Sequence, residues 1–338
     1  MSSTRSIISP PPFASTALTV IPPTPVAGVT YRDETAGPAS SPDGWPYAER
    51  VNSAEWNQIM YQLSSLVSIM DHKGVLGWSD LVDYSEASVQ FGSDGILYAW
   101  LQASGPSLGG AKDPVSNPTY WKNLRSGQLI GVQTFAASGT YTPSSGMATC
   151  IIEAVGAGGG AGSAVASGAG QVSIPGGGSS GAYALGKFTA AAIGASQAVT
   201  IGVGGVGGVG GPGGSGSSTS VGALIVCPGG LGSVGHGPAT PPIMKAGALV
   251  AAAPTGGNIK SSTGNPGGNG FALTDIVSGP GGSSPMFSSG GAASAVANTP
   301  GTAGLTPGSG GSGGCSSNGA ARNGGAGANG YVLIWEFY

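Results

Sequence analysis

The sequence predicts a mainly β protein with a single long helix. In chain order it expects a Pro-rich extended N-terminal arm (1–50), a coiled-coil-like helix (51–74), a small β module (75–127) and a glycine-rich domain (128–338) of short strands and polyglycine-II-like segments. Three observations carry this. Of the 25 charged residues 18 lie in 1–127, whereas 56 of the 67 glycines lie in 128–338, so two physical regimes meet near Gly127. Apolar residues recur at helical spacing in one window, 52–73, and at strand-like alternation in several others.

Charged residues make up 7% of the chain and hydrophobic ones 40%, the reverse of the composition that keeps chains solvated and unfolded. A compact glycine-rich body is therefore expected. The net charge of −3 comes with no basic stripe, which argues against a nucleic-acid partner. The start, MSSTRSIISPPPF, reads as no secretory signal, and no run of about 20 apolar residues free of Gly and Pro suggests membrane insertion. Cys150, Cys227 and Cys315 are far apart and lack histidine companions, which suits buried thiols of a cytoplasmically made protein.

Within the arm, Pro10–Pro12, Pro23, Pro25 and GPASSPDGWPY favour extended chain and remove backbone donors. The helix begins with Asn52 and Glu55 in capping-box spacing and stops at Gly74 after His72 and Lys73. Trp56, Ile59, Leu63, Leu66 and Met70 follow the 3-4-3-4 spacing of a heptad seam, which suits either self-association or one amphipathic helix on a small domain. In the β module, SVQFGSDGILYAW alternates around Asp94-Gly95, a hairpin turn pair. The hairpin and the following DPVSNPTYWKNL together resemble a short module of bacteriophage tail fibres that is related to chitin- and cellulose-binding modules. Trp100, Tyr120 and Trp121 are its candidate aromatics, for glycan stacking or for packing.

The glycine-rich domain opens with GVQTFAASGTYTP and a strand entering GAGGG, and closes with GYVLIWEFY, whose strand is expected to pair with the opening ones. Between them IGVGGVGGVGGPGGSG repeats every three residues. Polyproline II has three residues per turn, so this spacing stacks Val and Pro on one edge and leaves two edges bare. Ordering such glycine costs roughly 1–2 kcal/mol per residue, which bare edges can offset by exchanging N–H to C=O bonds with neighbours. The order of these motifs resembles the glycine-rich C-terminal domain of phage tail fibre proteins, and the bundle resembles the polyglycine-II sandwich of some phage adhesins.

The resemblance implies an elongated homotrimer in the virion. Its N-terminal part would attach to tail-tip or baseplate proteins, and its C-terminal domain would bind a bacterial surface receptor such as a pilus, lipopolysaccharide or an outer-membrane protein. The alternative is a structural fibre or spacer. Candidate contact segments are 236–255 and 283–299, with His236, Met244, Lys245, Met286 and Phe287; sealing the packed body or a subunit interface is their other reading. No catalytic role is expected, because the two histidines lie outside any triad pattern and Glu153, Asp275 and Glu336 do not suggest a carboxylate pair. Neither a cofactor nor a metal site is indicated by spacing.

Overall fold

The computed structural model describes residues 63–64, 78, 84, 88–102, 113–288 and 290–338. The expected arm at 1–50 and the seam residues Trp56, Ile59, Leu66 and Met70 lie outside them. Leu63 is described and sits in a helical turn with its side chain exposed. The chain divides into two compact units, Met1–Arg125 and Ser126–Tyr338. Both are mainly β.

In the first unit β1 (Val89–Phe91), β2 (Leu97–Trp100) and β3 (Trp121–Asn123) form an antiparallel sheet in that order. The β1–β2 turn places Gly95 at φ 75°, a conformation glycine adopts without strain, and Asp94 accepts from the Ile96 N–H. One face of the sheet packs Tyr84, Tyr98, Trp100 and Trp121 together.

In the second unit, one end is a sandwich. A five-stranded sheet runs in the order β13 (Lys260–Ser262), β8 (Tyr183–Thr189), β6 (Thr149–Val155), β17 (Tyr331–Phe337), β4 (Leu129–Phe135). It faces a four-stranded sheet ordered β11 (Ile225–Cys227), β10 (Thr219–Val221), β9 (Gln197–Thr200), β5 (Gly139–Tyr141). Alternation decides what is inside: along TCIIEAV and YVLIWEF the inward residues Cys150, Ile152, Ala154, Val332 and Ile334 meet Tyr141, Val199, Val221 and Ile225 from the other sheet. β17 pairs with both β4 and β6, so the last strand closes the sheet between two of the first.

Several strands do not end in turns but run on as extended glycine chains. After β6, residues 156–164 continue with every position buried. Their N–H groups point to three neighbours in rotation: Ala157, Gly160 and Ser163 donate to the carbonyls of Ser217, Gly214 and Gly211; Gly158, Ala161 and Ala164 donate to Ala328, Gly325 and Arg322; Gly156 and Gly159 donate to Ala182 and Ser179. Their carbonyls serve three more, accepting from Gly205 and Gly208, from Gly230, Ser233 and His236, and from Gly311 and Gly314. Partners advance by three in each series, the repeat of a three-residue helix. Donor series run antiparallel and acceptor series parallel. At Gly162 the pattern passes through a side chain: its N–H donates to the Ser233 hydroxyl, which donates to the Gly176 carbonyl.

Residues 174–182 and 308–315 are bonded in the same way. The first donates to chains at 265–268, 308–311 and 228–231 and accepts from those at 156–159, 248 and 279–282; the second donates to 279–282, 159–162 and 299–302 and accepts from 178–181, 292 and 325–328. Three buried chains thus sit side by side, each ringed by six others, with the remaining segments forming the outer layer. Glycine is required there because a Cβ on Gly158, Gly177 or Gly310 would overlap the carbonyl oxygen of Ser309, Pro280 or Gly178.

The sequence reading of IGVGGVGGVGGPGGSG as one three-residue helix is corrected. The run reverses at Gly210 (φ 70°), and 211–218 returns antiparallel to 201–209, with Gly214 donating to Val206 and Ser217 to Val203.

Candidate functional site

Registers fix which loops share an end. Residues 126–128 and the C-terminus meet at the sandwich, where Gly127 and Tyr338 donate to the carbonyls of Tyr338 and Gln128. The glycine chains carry the connections at 165–173, 237–245, 270–277, 296–299 and 316–321 to the opposite end of the bundle.

That far end is built from two small sheets. β7 (Ser167–Ser173) pairs with β16 (Ser316–Gly319), while β12 (Ile243–Lys245), β14 (Gly270–Ala272) and β15 (Ile276–Val277) form a three-stranded sheet. Directly paired residues share a face. One face, with Ile243, Ala272 and Ile276, packs on Val172, Ile174, Ala295 and Cys315. The other carries Met244, paired with Phe271, paired with Val277, which bridges to Val296. Met244, Phe271 and Val296 are 59%, 46% and 57% exposed, and Leu273 on the β14–β15 turn is 71% exposed. A row of apolar side chains therefore faces solvent.

Of the residues singled out in the sequence, Met244 lies in this row, and Lys245 follows it, half-buried. His236 is corrected from a loop contact to a buried residue, 6% exposed. Its Nδ1 accepts from the Ile174 N–H, its backbone N–H donates to the Ser163 carbonyl, and its carbonyl accepts from the Ser173 hydroxyl. Burial, with the nearby charge of Lys245, pushes its pKa down, so the ring is held as a neutral acceptor. The physical reason is positional: His236 ends the run 228–236, and its ring takes up a donor left over where 174–182 begins.

Met286 and Phe287 are separated from Met244 because 278–284 crosses the bundle. Phe287 meets Tyr331, the first residue of β17, edge to face at 5.8 Å between centroids, at the sandwich end. Trp100 and Trp121 are 2% and 1% exposed, and Tyr120 is half-buried and stacked on Trp100 at 5.5 Å. These aromatics pack one another; the two tryptophan rings have no face open to a sugar.

Val296 lies in the candidate segment 283–299, although the residue itself is not singled out in the sequence, whereas Phe271 and Leu273 fall outside both candidate segments. The signal of these two is GFALTDIV, a strand-like run reversing near Asp275 and set among glycines. The three cysteines are buried free thiols. Among the described residues no group of His, Cys, Asp and Glu is placed to hold a metal ion, and no helix is long and apolar enough to cross a membrane. No protein-family profile matches the chain, and no curated protein is detectably similar to it.

Proposed function

We propose that the chain is a non-enzymatic fibre of a bacteriophage tail, homotrimeric in the virion, which attaches to tail-tip proteins through 1–50 and binds a bacterial surface receptor through its glycine-rich domain. One observation carries the reading. The bundle displays an exposed apolar row, Met244, Phe271 and Val296, at the end opposite the place where the chain comes into the unit. Exposed contiguous apolar side chains mark interaction surfaces, and methionine adapts to varied partners. The three-residue hydrogen-bond rotation supports describing the interior as polyglycine II, a scaffold whose stability rests on backbone contact and leaves the connecting loops free to vary.

The test uses the full chain and its double variant Met244→Asp, Phe271→Asp. Both side chains face solvent, so the melting temperature is expected to hold, while saturable binding to host cells and competition with phage adsorption fall at least about tenfold, since central apolar anchors typically dominate such contacts. Unchanged binding by the variant would remove the row from the contact. A wild-type chain that neither binds nor competes would leave a structural spacer, with recognition carried by another tail protein.

A further inference from the structure

His236 is the one histidine in 126–338, and it sits where two far-end connections meet two buried chains. Its backbone N–H donates to the Ser163 carbonyl, near the end of the inner chain 156–164. Its carbonyl accepts from the Val165 N–H, just before β7, and from the hydroxyl of Ser173, the last residue of β7. The ring Nδ1 accepts at 3.0 Å from the N–H of Ile174, the first donor of the inner chain 174–182. Three residues after His236, Ala239 exchanges both backbone bonds with Val172, and the chain then enters β12. One side chain therefore fastens 165–173 and 237–245, the connections that carry β7 and β12, to the bundle.

The fastening works in one protonation state only. A neutral imidazole has one accepting nitrogen, here Nδ1, and a proton added there turns it into a donor facing the donor of Ile174. Among the described residues the resulting cation finds no counter-ion. The segments 156–186, 188–244 and 308–321 contain no Asp, Glu, Lys or Arg, and the far end's one carboxylate, Asp275, sits on the β14–β15 turn. Arg322 lies across Ala164, bonded to the edge opposite His236, and the Lys245 ammonium repels added positive charge. Cys315, in the same apolar cluster as Ile174, is a thiol that burial keeps neutral. Protonation thus leaves the Ile174 N–H without a partner and a buried charge uncompensated, and both penalties end when the ring swings out to water. We propose that His236 is an acid-operated latch, whose protonation releases 165–173 and 237–245 and opens the far end while the sandwich stays closed.

Linkage gives the sign and the size of the effect. Burial first, and Lys245 second, hold the folded pKa of His236 below its unfolded value of about 6.5. The closed form therefore binds fewer protons than the open one. The latch keeps its full strength above about pH 6.5 and loses it as pH falls from there toward the folded value. For a ring that takes up its proton only when open, the opening constant rises roughly tenfold between pH 7.5 and 5.5, which is the upper limit. Histidine is the only side chain whose ordinary pKa falls between 5 and 8, so a response of this unit in that window belongs to His236. The sandwich core shares none of the bonds that His236 makes. The latch does not rest on the receptor reading, although any partner held through β12 would be held less firmly in acid.

Hydrogen exchange of the full chain at pH 7.5 and 5.5, read by mass spectrometry and corrected for the intrinsic pH dependence of exchange, tests the latch. Peptides spanning 165–174 and 237–245 are expected to lose protection by about three- to tenfold at the lower pH, while the β6 peptide 149–155 keeps its own. In His236→Asn the side-chain carbonyl oxygen supplies an acceptor that does not titrate, so far-end protection is expected to agree at the two pH values within about twofold. Equal protection at both pH values in the wild type, or the same loss in His236→Asn, would overturn the latch. A loss spread evenly over the β6 peptide would overturn its confinement to the far end. Should His236→Asn fail to fold at pH 7.5, the wild-type profile decides alone, because the unit has no second histidine.

Discussion

Glu336 carries its charge where no solvent reaches it: the residue is 0% exposed, on β17, and among the described residues its carboxylate is bonded by hydroxyls and a backbone N–H, with no ion pair. Burial alone would raise its pKa, but the hydroxyl and N–H of Ser144 and the hydroxyl of Tyr141 all donate to the carboxylate, and together they hold it below the usual range. The same bonds fasten the turn between β5 and β6 to the C-terminal strand. A carboxyl whose pKa is lower in the folded than in the unfolded chain stabilises the fold above the unfolded value of about 4.3, and that contribution is lost as pH falls through the lower, folded value. Glu336→Gln keeps the shape but replaces one acceptor oxygen with a donor amide facing donors. The expected loss is about 1–3 kcal/mol at pH 7, and the variant's stability should respond less than wild type to acidification below pH ~4.3. Denaturant unfolding at pH 7, 5 and 3.5 checks both; parallel pH profiles would show that the carboxylate does not titrate differently in the two states.

Among the glycine chains, position in the bundle decides what each residue tolerates. Gly158 lies in an inner chain where a methyl group would overlap backbone, so Gly158→Ala is expected to destabilise by about 3 kcal/mol or more. Gly237 lies on a far-end loop with nothing within 4 Å of an added Cβ, and Gly237→Ala should change stability by less than about 0.5 kcal/mol. Thermal unfolding of the two variants measures the contrast, and similar melting temperatures would refute it. The same geometry explains what could be read from the sequence. Val203, Val206 and Val209 advertise a period of three because an outer chain has a free edge on which bulk is allowed. Residues 156–164, 174–182 and 308–315 have no free edge, so nearly every position is small and the period vanishes from the text while being fully present in the hydrogen bonds. The mainly β character, the Asp94-Gly95 turn and the pairing of GYVLIW with TCIIEAV were legible because alternation and turn chemistry are local. The ends to which Met244 and Phe287 go were not: they depend on how many times the chain crosses the bundle between them, and a crossing such as 278–284 has no composition to distinguish it from a loop.

For the second unit as a whole, stability and display are assigned to different parts of the chain. The buried chains exchange bonds with six neighbours each, so their register is fixed on every side, whereas the β14–β15 turn at Leu273–Asp275 is held by one backbone bond, from the Leu273 N–H to the Asp275 carbonyl. Lengthening a surface loop adds only about 0.6 kcal/mol per doubling. Inserting one residue into an inner chain turns every later edge by a third of a revolution and sends each donor to the wrong neighbour. An insertion of about eight Gly and Ser residues after Thr274 is therefore expected to move the melting temperature by no more than about 4 °C, while disrupting the Phe271 row and lowering cell binding. A single glycine inserted after Gly160 is expected to abolish cooperative unfolding of this unit. Calorimetry of the two insertions in the full chain, with cell binding measured for the first, tests the division. Loss of folding in the Thr274 insertion would mean that the far end is part of what holds the bundle together, and the display of a receptor-contacting row by an independent scaffold would then have to be abandoned.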